Sequence, residues 1–133
     1  MAKPTTSDIE PKPVRWVGSS KDDLSGFPLD VRRRVGVALW DAQCGRKAPY
    51  VKPLRGFGGA DVLEIIDDYD GDTYRAAYTV RFAAVVYVLH AFQKKSKSGI
   101  ATPMHELDLI DKRLKRAREE YKQWSKSETT KSQ

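Results

Sequence analysis

Between residues 61 and 92 three apolar runs follow one another with little between them: DVLEIID at 61–67, TYRAAYTVRF at 73–82 and AVVYVLHAF at 84–92. Each is rich in the β-branched and aromatic residues that suit a pleated, half-buried surface. Asp70-Gly71-Asp72 is a hairpin turn signal, and Phe82-Ala83-Ala84 must turn tightly without a glycine. Connections this short leave no room for a crossover, so the three runs are expected to form an antiparallel meander.

Alternation then sorts the side chains by face. In the second run Tyr74, Ala76, Tyr78, Val80 and Phe82 share one side, while Thr73, Arg75, Ala77, Thr79 and Arg81 share the other. In the third run Val85, Tyr87, Leu89 and Ala91 alternate with Val86, Val88, His90 and Phe92. Both sides are mostly apolar, as expected of a strand in the middle of a sheet. If the pleat continues, Lys94 leaves on the side of His90 and Phe92.

Before the meander, Val14 to Val17 reads as a short strand ending at Gly18, and SKDDLSGF as a short helical segment. Pro28 fits the first turn of a second helix, with Val31, Val35, Ala38, Leu39 and Ala42 at helical spacing and Gly45 as its stop. Arg32, Arg33 and Arg34 lie mostly off that stripe and read as a solvated face. The Gly- and Pro-rich stretch 45–59 reads as a loop carrying Arg46, Lys47, Lys52 and Arg55. After Gly99, Thr102-Pro103 opens an amphipathic helix on Leu107, Ile110, Leu114, Ala117 and Tyr121, with a basic outer side. Residues 1–12 are expected to form a disordered arm, 13–124 one domain and 125–133 a disordered tail. The fold class is therefore α+β: a small, antiparallel-dominated β-sheet with N-terminal helices and a C-terminal amphipathic helix.

The net charge of +6 makes nucleic acid, or an acidic protein, the first partner to consider. A single cysteine, Cys44, excludes an intramolecular disulfide and a cysteine-based zinc cluster. No run approaches the roughly 20 apolar residues of a membrane span. The opening MAKPTTSDIEPKP lacks the apolar core of a signal peptide, so a cytoplasmic protein without a membrane partner is expected. There is no P-loop, GxGxxG, HExxH or GxSxG motif, and no metal or cofactor is expected. His90 inside a strand reads as a satisfied sheet histidine or as a titrating group facing the same side as Lys94. What concentrates at one sheet end is Arg75, Lys94, Lys95 and Lys97, with Phe92, Tyr74 and Tyr78 interleaved and the loop cations Lys52 and Arg55 nearby. Cations among aromatics suit single-stranded RNA, whose bases stack while its phosphates pair.

The runs VRWVGSSKDDLSGFP, VKPLRGFGG, DTYRAAYTV and VVYVLHAFQKKSKSGIATPMHELDLIDKRLKRA closely resemble the phage-derived, HigB-like branch of the RelE/ParE toxin superfamily, over residues 14 to about 121. The resemblance implies a RelE-like sheet with helices on one face. It implies the toxin of a type II toxin–antitoxin pair, many of which are ribosome-dependent endoribonucleases acting on messenger RNA. It also implies a HigA-like helix-turn-helix antitoxin as partner, through which alone operator DNA is bound. ParE relatives poison DNA gyrase instead, and a non-catalytic phage-derived regulator is a third class. The family's catalytic cation falls on Arg75 and its basic position after the last strand on Lys94, with Lys95 beside it. Lys52 and Arg55 fall where relatives place phosphate-binding lysines. Where RelE-type toxins carry an arginine and a tyrosine, this chain has lysines and no adjacent tyrosine.

Overall fold

The strand Val86–Lys94 is the axis of the molecule: from Val86 to Leu89 no side chain is exposed to solvent. The computed structural model describes residues 10–94 and 101–131. In chain order the elements are β1 (Val14–Trp16), α1 (Ser20–Ser25), α2 (Leu29–Gln43), β2 (Val51–Pro53), β3 (Val62–Tyr69), β4 (Asp72–Thr79), β5 (Val86–Lys94) and α3 (Met104–Lys131). They build one five-stranded sheet in the order β1-β5-β4-β3-β2. The expected meander β3-β4-β5 is antiparallel, β2 adds to it antiparallel, and β1 alone runs parallel, against β5. The β3–β4 turn is made by Asp70 and Gly71, both at positive φ (51° and 90°), a backbone shape that matches the twist of the two strands.

Helices cover both faces of the sheet, not one. Val31, Val35, Ala38, Leu39 and Ala42 of α2 pack with Leu63, Ile65, Ala76, Tyr78, Val86 and Val88. On the other face Ile110, Leu114 and Ala117 of α3 pack with Val62, Ala77, Tyr87 and Leu89. The alternation of β4 requires this split, since Ala76 and Ala77 are both buried yet point to opposite sides. In β5 the alternation is broken once: Ala77 pairs with His90 but Tyr78 pairs with Val88, so Leu89 falls between two registers. This bulge turns Ala91 to the α2 side and puts His90, Phe92 and Lys94 in phase with Leu89 on the α3 side.

Three other expectations are corrected. The stretch 45–59 is not all loop, because Val51–Pro53 pairs with β3 as a short edge strand, where a proline is tolerated. The arm does not extend to residue 12: Lys12 N–H donates to the Gln43 carbonyl (2.9 Å) and its own carbonyl accepts from Gln43 Nε2 (2.7 Å), while residues 1–9 lie outside the described residues. The tail expected from Ser125 is instead the last part of α3, which continues to Lys131 because nothing from Arg118 to Lys131 is a glycine or proline. No helix among the described residues is long and apolar enough to cross a membrane.

Candidate active site

α3 packs over β5 and over Val62 and Ala77, and the rest of this face, from Glu64 to Asp68 of β3 with Thr73 and Arg75 of β4, is left open as a cleft of about 900 Å³. Its floor is Glu64, Ile66 and Asp68 of β3 with Thr73 and Arg75 of β4. Lys52 and Arg55 stand on one side, Thr102 and Leu107 on the other. The strand register explains who meets whom. Lys52 is paired with Glu64, Glu64 with Ala77, Ile66 with Arg75 and Thr73 with Lys94, so all these side chains leave the sheet on one face.

Arg75 is nearly closed off, with 3% of its surface exposed. Its Nη1 donates to Thr102 Oγ1 at 3.1 Å and lies 3.5 Å from Glu64 Oε1, while Nε finds no acceptor among the described residues. Thr102 Oγ1 in turn donates to Glu64 Oε2 at 2.7 Å, which closes a triangle of three side chains. Burial pushes the Glu64 carboxyl up from the ordinary carboxylate range, and the Thr102 hydroxyl and the charges of Arg75 and Lys94 pull it partly back. Lys94, half-buried, donates from Nζ to the Ala101 carbonyl at 3.1 Å. Arg75 and Lys94 therefore share a sheet face and are diagonal neighbours across β4 and β5.

Lys52 and Arg55 are exposed on the opposite wall. Lys95 and Lys97 lie outside the described residues. His90 is on the same sheet face but under α3: its Nε2 is 2.6 Å from Glu106 Oε1 and its Nδ1 is 3.3 Å from Arg113 Nη1. Phe92 is buried too, stacked on His90 with ring centroids 5.1 Å apart. Both rings belong to the seam that fixes α3 rather than to the lining of the cleft. Among the described residues no group of acidic, histidine and cysteine side chains is placed to hold a metal ion.

Sequence reasoning passed over Glu64, Thr102 and Arg113. The signal for Glu64 was one carboxylate in the apolar run DVLEIID, in phase with Val62 and Ile66. Arg113 falls within the stretch expected to form the basic outer side of the last helix, yet it reaches inward to the Leu89 carbonyl (3.0 Å), His90 and Ser19 Oγ (3.1 Å).

The sequence model of a family described as "Phage derived protein Gp49-like" matches residues 22–115. Among solved structures, the chain is similar to a mutant of the E. coli toxin RelE in the free state, with 18% identity and a TM-score of 0.51 over 80% of this chain and 97% of that one. It is also similar to the RelBE2 toxin–antitoxin complex from Mycobacterium tuberculosis, with 21% identity and a TM-score of 0.43 over 65% of this chain and 94% of that one. No curated protein matches the sequence.

Proposed function

Given that the chain belongs to the phage-derived Gp49-like family and has the RelE fold, we propose that it is the toxin of a type II toxin–antitoxin pair and acts as an endoribonuclease on messenger RNA at the ribosome. The observation that carries this reading is the cleft that has Arg75 in its floor and the exposed cations Lys52 and Arg55 along one wall, with Lys94 diagonal to Arg75 on the same sheet face. Three cations lining an open groove, with Lys94 on the same sheet face, suit a polyphosphate chain, and the apolar Ile66 and Leu107 in its lining suit a base or ribose.

The chemistry asked of the site is attack of a ribose 2′-hydroxyl on the adjacent phosphorus. The protein must align the attack and neutralise the charge that grows on the phosphorane oxygens. Arg75 suits the second task, since its planar fork holds two oxygens and keeps its charge. Lys94 and Lys95 act as point charges on the same phosphate. Lys52, Arg55 and Lys97 hold flanking phosphates. His90 and Phe92 support α3 from below. In the free protein Arg75 is engaged by Glu64 and Thr102, so RNA must arrive already bent, which favours presentation by the ribosome over cleavage of RNA in solution. A HigA-like helix-turn-helix antitoxin is the partner that would silence the cleft and carry the pair to operator DNA.

Induction of the protein in a bacterial host, followed by pulse labelling of protein and DNA synthesis, tests the reading. Translation falls first, and Lys52→Ala and Lys94→Ala relieve the arrest while the purified variants melt like the parent. An early block of DNA synthesis would point to a gyrase poison instead. Harmless expression would point to a regulator that never cuts.

A further inference from the structure

Glu64 is a buried carboxylate that the proposed chemistry has not yet used. It lies mid-strand in β3, 4% exposed, on the floor of the cleft. A carboxylate kept only to hold an arginine in a core would be expected to grip it with two parallel contacts. Here the grip is one contact at 3.5 Å, and the second carboxylate oxygen is spent on a hydroxyl. The Thr102 hydroxyl oxygen donates its proton toward Glu64 at 2.7 Å and accepts from Arg75 at 3.1 Å. A ribose 2′-hydroxyl poised for attack needs the same arrangement: an anion to receive its proton and a cation beside it for the phosphate.

The geometry points to Glu64 as the general base of the cleavage, with the Thr102 hydroxyl marking the place that the ribose 2′-hydroxyl takes when RNA is bound. The assignment rests on the ribonuclease reading above. In the step, Glu64 takes the proton of the 2′-hydroxyl as the 2′-oxygen–phosphorus bond forms. The bond from phosphorus to the 5′-oxygen breaks, that oxygen keeps the electron pair, and water in the open cleft supplies its proton. The products are a 2′,3′-cyclic phosphate and a 5′-hydroxyl, and Glu64 returns its proton to solvent.

The groups facing Glu64 are Arg75 from β4, Lys94 from β5, Lys52 at the paired position of β2 and Thr102 ahead of α3. Burial raises the carboxyl above its ordinary range against the pull of that hydroxyl and those charges. A base shifted upward in this way accepts a proton more readily near neutral pH, yet still empties to do so again.

The test is single-turnover cleavage of messenger RNA on programmed ribosomes across a range of pH, with mapping of the product ends. The wild-type protein is expected to leave cyclic phosphate ends, with a rate that rises with pH along one acid limb. Glu64→Gln should bind ribosomes as before, cut at least about 100-fold more slowly and lose that limb. A Glu64→Gln variant that cuts at nearly the wild-type rate overturns the assignment while the ribonuclease reading stands. If that variant melts early, the wild-type profile and Glu64→Asp decide: a wild-type rate flat from acid to neutral pH, or an unshifted limb in Glu64→Asp, also overturns it. A wild-type protein that cuts no RNA on or off the ribosome removes the ribonuclease reading itself, and this assignment with it.

Discussion

The Glu64 carboxylate and the Arg75 guanidinium, with side chains 6% and 3% exposed, meet through a single contact of 3.5 Å. Removing one partner of such a pair leaves the other charge buried alone, which typically costs about 3 kcal/mol or more. Burial raises the Glu64 pKa and Arg75 lowers it, so without Arg75 it climbs further. A carboxyl raised in the folded state binds its proton more tightly there than in the unfolded chain. Its contribution therefore favours the fold at acid pH and is lost as pH rises through the folded value. Arg75→Met is expected to lose about 3 kcal/mol at neutral pH and clearly less in acid, read by urea unfolding at the two pH values. An equal loss at both would show that Glu64 is not the group left stranded. Because Arg75 also supports the fold, loss of toxicity on its removal has to be judged beside that of the exposed Lys52.

His90 is held from both ring nitrogens, by Glu106 at 2.6 Å and Arg113 at 3.3 Å, and both partners lie on α3. With Arg113 donating to Nδ1, the neutral ring carries its proton on Nε2 and donates it to Glu106. His90→Ala empties a buried site and leaves Glu106 and Arg113 short of partners, at a cost of about 2 kcal/mol. Amide exchange in the first turns of α3 should quicken more than in α2. A variant that keeps full stability yet loses all cleavage would instead give His90 a chemical role.

The parts of this fold that are legible in the sequence are those fixed by short-range pattern. The meander follows from alternation and tight turns, as does the common face of Thr73, Arg75 and Ala77 on β4, but Lys94 joins that face only through the bulge, without which it would follow Val86 and Val88 to the α2 side. The bulge at Leu89 escapes because nothing in VVYVLHAF distinguishes a slipped register from a regular one. The three-residue β2 escapes because an edge strand this short exists only by its pairing with β3. The crossing of α3 to the face opposite α2 depends on the path taken after Lys94, for which no local signal exists. Glu64 and Thr102 are 38 positions apart in sequence, and their contact is written only in the packing of α3 beside the cleft.

Gly18 is at φ +59°, and a Cβ built there would lie 2.7 Å from Arg113 Nε and 2.8 Å from its Cζ. A free arginine tip would move aside, but this one is tied to Leu89, His90 and Ser19. Gly18→Ala is expected to cost roughly 1–2 kcal/mol for the left-handed backbone and about 1 kcal/mol more for each bond of Arg113 it breaks. Gly45 has φ +82° with open space around it, so Gly45→Ala carries the backbone cost alone. Chemical denaturation of the two variants compares them directly. Equal losses would mean that Arg113 adapts and does not pin α3.

Tyr78 is fully buried, and among the described residues its hydroxyl has no hydrogen-bond partner, as is also true of Tyr87. Leaving a buried hydroxyl unmatched costs about 1 kcal/mol or more, so Tyr78→Phe, which keeps the ring and deletes the oxygen, is expected to raise stability by about that amount. The same burial lifts the Tyr78 pKa from 10.0 to about 12. The unfolded chain then releases this proton before the folded one does, so stability drops as pH rises between those two values. Tyr78→Phe removes that part of the alkaline decline as well, and its advantage over the parent should widen from neutral pH to about pH 11. Melting curves at the two pH values check both statements. A variant less stable than the parent at neutral pH would mean that the hydroxyl is matched in solution, and the packing of α2 on the sheet would then have to admit a partner for it.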